Sequence, residues 1–267
     1  MSSINTNVMS INAQRNLSKT QLTLQVAMQR LSSGMRVNSA ADDAAGLAIA
    51  ERMDAQTRGM NVAIRNANDA ISMAQTAEGS LGAISNNLQR MRELAVQAAN
   101  GTNTATDITS ISTEYALLKA ENDRVVTNTK FNNTAVLAAT TFKFQIGSND
   151  SADNQISVTG SAPTFTNAGT IADSAAALVE IKALDADIDA VTTLRATWGA
   201  NQNRFETVIA NLRVGAENSA ASHGRIVDAD YAQETAALTR SQVLQQAGTA
   251  MVAQANQGPN GVLALLR

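Results

Sequence analysis

Apolar residues recur at helical intervals over most of the chain. Ile4, Val8 and Ile11 start a stripe at spacings of four and three. Leu17, Leu24 and Leu31 then repeat every seven residues, with Met28 and Met35 four beyond the last two leucines. A seven-residue repeat in otherwise polar sequence predicts a helix with a narrow apolar edge, the pattern of a coiled-coil seam. The stripe then meets Gly34, Asn38-Ser39 and the adjacent pair Asp42-Asp43 before restarting in alanine-rich sequence. Ser39 and Asp42 have capping-box spacing, with Asp in place of the usual Glu. Two carboxylates in a first turn also complement the helix dipole. Ser39, Asp42 and Asp43 are therefore read as the cap of a joint between two helices.

Beyond the joint, Ile64, Ala67, Ile71, Ala74, Leu81, Ile84, Leu88, Met91 and Leu94 keep the three-four alternation. At about 1.5 Å per residue, a helix over residues 60–100 would reach roughly 60 Å. A rod of that length must lie against other long helices. Asn100-Gly101-Thr102-Asn103 reads as a stop and turn. A second rod follows on Ile108, Ile111, Tyr115, Leu118 and Val125, with Asn122 in register. The short turn predicts antiparallel neighbours.

The period then changes. Phe142, Phe144 and Ile146 alternate with polar residues, as do Ile156 and Val158, which predicts a β-hairpin around the loop GSNDSADN. Residues 159–173 read as a surface loop or small insertion. Helix returns on Ile181, Leu184, Ile188, Val191, Leu194, Trp198, Phe205, Ile209 and Leu212, with Gln202 in register. A last helical region spans residues 226–256, carrying Tyr231, Leu238, Leu244, Ala247 and Met251, and Gly258-Pro259-Asn260-Gly261 is read as its break. The expected fold is mainly α: long antiparallel helical rods from both termini with a small β-hairpin region in the middle. The expected division is a terminal helical domain from residues 1–40 and 226–267. A rod domain comes from 41–150 and 175–225, with a short variable surface segment at 151–174. The thin terminal seams could not bury themselves alone, because an isolated helix pair of this kind is marginal in water. They are expected to complete their burial against other copies of the chain.

Composition narrows the function classes. Aromatics are 3% and prolines number two, fewer of each than a compact enzyme of this length usually carries, and the apolar content is mostly Ala, Leu, Ile and Val. Such a composition suits long helices packed by small side chains. The net charge of −3 offers no basic field for nucleic acid. The absence of cysteine excludes disulfides, zinc-thiolate sites and cysteine nucleophiles. No apolar run is long enough to span a membrane, and the N-terminus lacks the apolar core of a cleavable secretory signal.

Candidate chemistry is sparse. Asp42 and Asp43 could serve as paired carboxylates, but capping accounts for both. Asp185, Asp187 and Asp189 imitate the start of a calcium loop, which fails because Ala190 and Ala196 stand where Gly and Glu are needed; the expectation is a solvated helix face. His223 is the only histidine, so no paired-histidine zinc motif exists, and no GxSxG elbow accompanies it. No catalytic residue, metal site or cofactor is expected. Arg90, Arg92 and Glu93 lie beside the Leu88–Met91 seam and are expected to be exposed.

The joint sequence LSSGMRVNSAADDAAGLAIAERM, the start INTNVMSINAQRNL and the later NNLQRMRELAVQAANGTN closely resemble the N-terminal signature of bacterial flagellin. KFNNTAVL and FKFQIGSND resemble the segment before its variable insertion, and RIVDADYAQETAALTRSQVLQQAGTAMVAQAN followed by VLALL resembles its C-terminal region. The likeness covers residues 1–150 and 175–267. Two stretches depart from the family pattern: RATWGANQNRFE, carrying Trp198 and Phe205, and NSAASHGRI before the DADYA motif.

The resemblance implies a structural subunit, not an enzyme. Terminal helices would form the inner tube of a helical flagellar filament used in swimming, with the rod layer around it and no large outer domains. Leu17, Leu24, Leu31, Leu238, Leu244 and Met251 are the subunit-packing candidates. The resemblance further implies export through the flagellar type III apparatus to the cell exterior, without cleavage. Expected partners are other copies of the chain, a flagellar export chaperone, and filament cap and hook-associated proteins. A host Toll-like receptor would contact Gln89, Arg90, Glu93, Leu94 and Glu114. No nucleic acid and no membrane insertion are expected. Two alternatives stay open: a hook–filament junction protein of the same architecture, and an adhesion module using residues 150–175.

Overall fold

A polar side chain opens every long helix of this chain. The computed structural model describes residues 6–264, so Ile4 at the head of the first stripe lies outside it. Helix α1 (Val8–Ser33) starts on Asn7, whose Oδ1 accepts from the Ser10 N–H at 3.1 Å. Helix α2 (Ala44–Ala98) follows Asp43, whose Oδ1 accepts from Gly46 N–H at 2.8 Å. Helix α3 (Ala105–Asn128) opens on a full capping box between Thr104 and Asp107. Helix α4 (Ser174–Val227) begins at Asp173, which accepts from Ala176 N–H at 2.7 Å. Helix α5 (Tyr231–Ala264) begins at Asp230, which accepts from the N–H groups of Ala232 and Gln233. Each cap satisfies donors that the first turn leaves without an intrahelical partner.

Two short antiparallel pairs interrupt the helices. Strands β1 (Lys130–Phe131) and β2 (Thr134–Ala135) close on Asn132 and Asn133, at φ 47° and 62°. Two successive positive φ values make a hairpin turn that asparagine tolerates. Strands β3 (Thr141–Gln145) and β4 (Gln155–Thr159) pair Phe142 with Val158 and Phe144 with Ile156. This second hairpin matches the expectation. The first is an addition to it.

The described residues form two compact units, one from Gln56–Glu217 and one from the residues up to Ala55 with those from Asn218 onward. In the Gln56–Glu217 unit, α2 lies antiparallel to both α3 and α4. As position rises along α2, the bonded partner falls along α3, from Asn87–Asn122 to Arg90–Glu114. The same reversal relates Glu78–Gln202 to Arg92–Asp185 on α4. The expected seams are the core: Leu81, Ile84, Leu88, Met91 and Leu94 of α2, Tyr115 of α3, and Leu184, Val191, Trp198 and Phe205 of α4 are all buried. Burying such a side chain stabilises by about 1.5–3 kcal/mol relative to exposure. The β3–β4 hairpin joins this core, with the Phe144 ring edge-on to Phe205 at 5.6 Å.

Residues 160–173, inside the expected surface segment at 151–174, are anchored against the core of this unit. Pro163, Asn167, Gly169 and Ile171 are buried, and two inward carboxylates of α4 hold the strap down. Asp187, 1% exposed, accepts from Thr166 N–H, Thr166 Oγ1 and Asn167 Nδ2 at 2.7–2.8 Å. Glu180, 5% exposed, accepts from Ala168 N–H and from the Tyr115 hydroxyl at 2.7 Å. Burial first, and then the Glu180 bond, push the Tyr115 phenol well above its ordinary value. Asp187 therefore departs from the expected solvated face, whereas Asp185 is exposed and pairs with Arg92 at 2.6 Å.

The other unit pairs α1 with α5. Asn7 meets Ala255 at one end and Arg30 meets Glu234 at the other, so the pair is antiparallel. Two helix boundaries differ from expectation. The break falls at residues 228–230, after α4 has run on to Val227, because Asp230 caps a new helix there. Helix α5 also continues through Pro259 to Ala264. Proline has no N–H, so Ala255 O loses its helical donor. Asn7 Nδ2 donates to that carbonyl at 2.7 Å and fills the gap.

Candidate interaction surface

The joint between α1 and α2 is built from backbone as much as from side chains. Gly34 ends α1 in the left-handed region at φ 71° and donates to Arg30 O. The chain then pairs with the end of α4. Arg36 N–H donates to Val227 O at 2.6 Å, Ala229 N–H donates to Gly34 O at 2.9 Å, and Met35 bridges Asp228. The Arg36 guanidinium adds a bond to Ile226 O. Tyr231 OH donates to Leu31 O at 3.2 Å, and Arg30 pairs with Glu234 at 3.0 Å. Asp42 and Asp43 divide the capping work. Asp42 Oδ2 accepts from Ser39 Oγ and from the N–H groups of Ser39 and Asn38. It thereby closes a turn in which Asp42 N–H donates to Ser39 O. Asp43 alone caps α2. The Ser39 hydroxyl, then the two N–H groups, hold the Asp42 carboxyl below its ordinary value.

What the α1–α5 pair buries is small, and what it leaves out is large. Among the described residues of this unit Ala27, Val37, Ala50 and Val227 are the buried apolar ones, while Val8, Met9, Ile11, Leu22, Val26 and Met28 of α1 are exposed. Val243, Leu244 and Met251 of α5 are exposed as well. Of the six packing candidates, Leu17, Leu24, Leu31 and Leu238 are half-buried. Leu244 and Met251 are 52% and 61% exposed. An open groove of about 410 Å³ runs between Met9, Leu17, Leu244, Gly248 and Met251. Gly248 permits the close approach there, since a Cβ on it would lie 3.1 Å from Leu17 Cδ1. Leu22, Val26 and Val243 lie off the seven-residue repeat. The signal for them was an apolar residue at a position the seam does not use.

The α2–α3 face carries the other candidates. Gln89, Arg90, Glu93 and Glu114 are exposed. Arg90 bridges both acids, reaching Glu93 at 3.0 Å and Glu114 at 2.9 Å. Bonds to Glu93 and then Glu114 hold its guanidinium more firmly charged. Leu94 departs from the exposed candidates: it is 2% exposed, in register with Leu88 and Met91, and lies beneath this face. His223 is half-buried within α4. Among the described residues no group of three or more metal-ligating side chains could hold an ion, and no helix is long and apolar enough to cross a membrane. The chemistry this surface offers is burial: exposed apolar side chains on two helices, next to a hydrogen-bonded joint.

Residues 4–141 match the bacterial flagellin N-terminal helical region, and residues 181–266 match the bacterial flagellin C-terminal helical region. A flagellin of Halalkalibacterium halodurans is 44% identical over 270 residues, the match covering 99% of each chain. The flagellar filament 33 kDa core protein of Treponema phagedenis is 39% identical over 284 residues, again over 99% of each chain. The crystal structure of Bacillus cereus flagellin matches with a TM-score of 0.51 at 36% identity, over 55% of this chain and 88% of that one.

Proposed function

The chain belongs to the bacterial flagellin family, and from that premise we propose that it polymerises into the helical filament of an extracellular bacterial flagellum used for swimming. The family is one of structural proteins, not enzymes. The observation that carries the reading is the uncovered apolar surface of α1 and α5, from Val8 and Met9 to Leu244 and Met251. Burial is worth about 25 cal/mol per Å² of apolar surface, so copies that cover one another's terminal helices gain what one copy cannot supply. The joint at residues 34–43 ties the end of α1 to the end of α4 by backbone hydrogen bonds, next to the face offered to neighbours.

Finer partners follow the same logic. Before export, a flagellar chaperone would cover the apolar face of α5. At the filament ends, cap and hook-associated proteins would meet the same terminal helices. The exposed Arg90, Glu93 and Glu114 cluster, with Gln89 beside it, is the face a host Toll-like receptor would contact. The strap at residues 160–173 is latched to Glu180 and Asp187, which leaves an adhesion reading little free segment to use.

The test is polymerisation of the purified chain, followed by sedimentation and electron microscopy. Long filaments from the parent chain are expected, which also separates a filament subunit from a hook–filament junction protein. A Leu22→Ser/Leu244→Ser chain of parental helix content should form none. Filaments from that variant at the parental rate would remove the proposed interface.

A further inference from the structure

The methionines divide as sharply as the two units do. Met73 and Met91 are buried in the core of the Gln56–Glu217 unit. Met35, Met53 and Met60 are half-buried. Among the described residues, the exposed ones are all on the terminal helices: Met9 at 75%, Met28 at 50% and Met251 at 61%. Met9 and Met251 both line the groove between α1 and α5.

An exposed thioether is open to two-electron oxidation, while a buried one is shielded. We propose that Met9, Met28 and Met251 are sites of reversible oxidation by hydroperoxides, and that their oxidation stops the free chain from joining a polymer. The sulfur lone pair attacks one peroxide oxygen. An S–O bond forms as the O–O bond breaks, the proton on the attacked oxygen passes to the departing oxygen, and water leaves from hydrogen peroxide or an alcohol from an organic hydroperoxide. Sulfur is oxidised to the sulfoxide and the peroxide is reduced. The product puts a strong hydrogen-bond acceptor where an apolar side chain stood. A polar group moved into an apolar contact without a donor opposes that contact. The free chain is the vulnerable state, because assembly covers the same side chains. This inference rests on the reading that neighbouring copies cover α1 and α5.

The test uses the full chain and dilute hydrogen peroxide. Position-resolved mass spectrometry of the monomer should find Met9, Met28 and Met251 oxidised before Met73 and Met91. The oxidised monomer should keep its helical circular dichroism yet polymerise at least about tenfold more slowly, as expected for unpartnered polar groups entering an apolar interface. Methionine sulfoxide reductase should restore the rate. Met9→Leu/Met28→Leu/Met251→Leu keeps the apolar volume and should polymerise normally before and after peroxide. In preformed filaments the three methionines should resist oxidation. Parental polymerisation by chains oxidised at all three positions would overturn the proposal, as would equal peroxide sensitivity in the triple variant. If the untreated chain forms no filaments, the filament reading itself fails and takes this inference with it. If untreated and oxidised chains polymerise alike, only this inference fails.

Discussion

The two units are made of the same kind of helix and differ in what those helices bury. In the Gln56–Glu217 unit, leucine, isoleucine, tyrosine, tryptophan and phenylalanine from α2, α3 and α4 close on one another, and a hairpin and a strap cover the sides. In the terminal unit, the residues between α1 and α5 that reach full burial are small, Ala27 foremost, and the large ones face outward. A helix pair without a large buried core draws little stability from tertiary packing. The first unit is finished within one chain, and in the proposed filament the second would be finished by its neighbours. Stability and assembly should therefore respond to different residues.

The largest effect on folding is expected in the core. Phe205→Ala removes a buried ring that also meets Phe144, and should cost about 3–5 kcal/mol in urea unfolding of the monomer. A cost below about 1 kcal/mol would mean that the aromatic centre does not hold this unit together. Tyr115→Phe comes next. It removes the hydroxyl that donates to buried Glu180, at about 1–3 kcal/mol, and should loosen the strap at residues 160–173, measurable as faster amide exchange at Ala168. Leu244→Ser inverts the comparison. Monomer stability should stay within ~0.5 kcal/mol of the parent, because the side chain is already exposed, while the polymerisation rate falls. A large loss of monomer stability would show instead that α5 is already packed in the single chain.

Helix seams were legible because burial follows the period: Leu81, Ile84, Leu88 and Met91 announce one face without any knowledge of the partner. The strap was not legible, because its anchors are acids. Asp187 sits between two other aspartates and reads as a solvated run. Its register with Leu184 and Val191, shared by Glu180, was the available sign that both point inward. Pro259 misled in the opposite direction. A helix interior normally rejects proline, and here a donor 248 positions away in sequence, Asn7, takes up the carbonyl it leaves free. The same limit explains Leu94: the motif that marks a surface also contains the residue beneath it.

The smallest effect concerns the joint. Hydrogen bonds to the charged form lower the Asp42 pKa in the folded chain. Asp42 is thus a carboxylate whose folded pKa lies below its unfolded value of about 3.9. Its contribution is complete above that value and is lost as pH falls through the lower folded one. The turn at residues 38–42 should hold unchanged from neutral pH to about pH 5 and open only in stronger acid. Asp42→Asn should flatten that response when the joint is followed by NMR, and an unaltered acid transition would assign it to another group.

Amide hydrogen exchange of the same chain, free and polymerised, reads the contrast between the two units directly. Protection of α1 and α5 should be weak in the free chain and rise by orders of magnitude on polymerisation, while Leu88, Tyr115 and Phe205 in the Gln56–Glu217 core stay strongly protected throughout. Terminal helices as protected as that core in the free chain, or unchanged by polymerisation, would contradict that contrast.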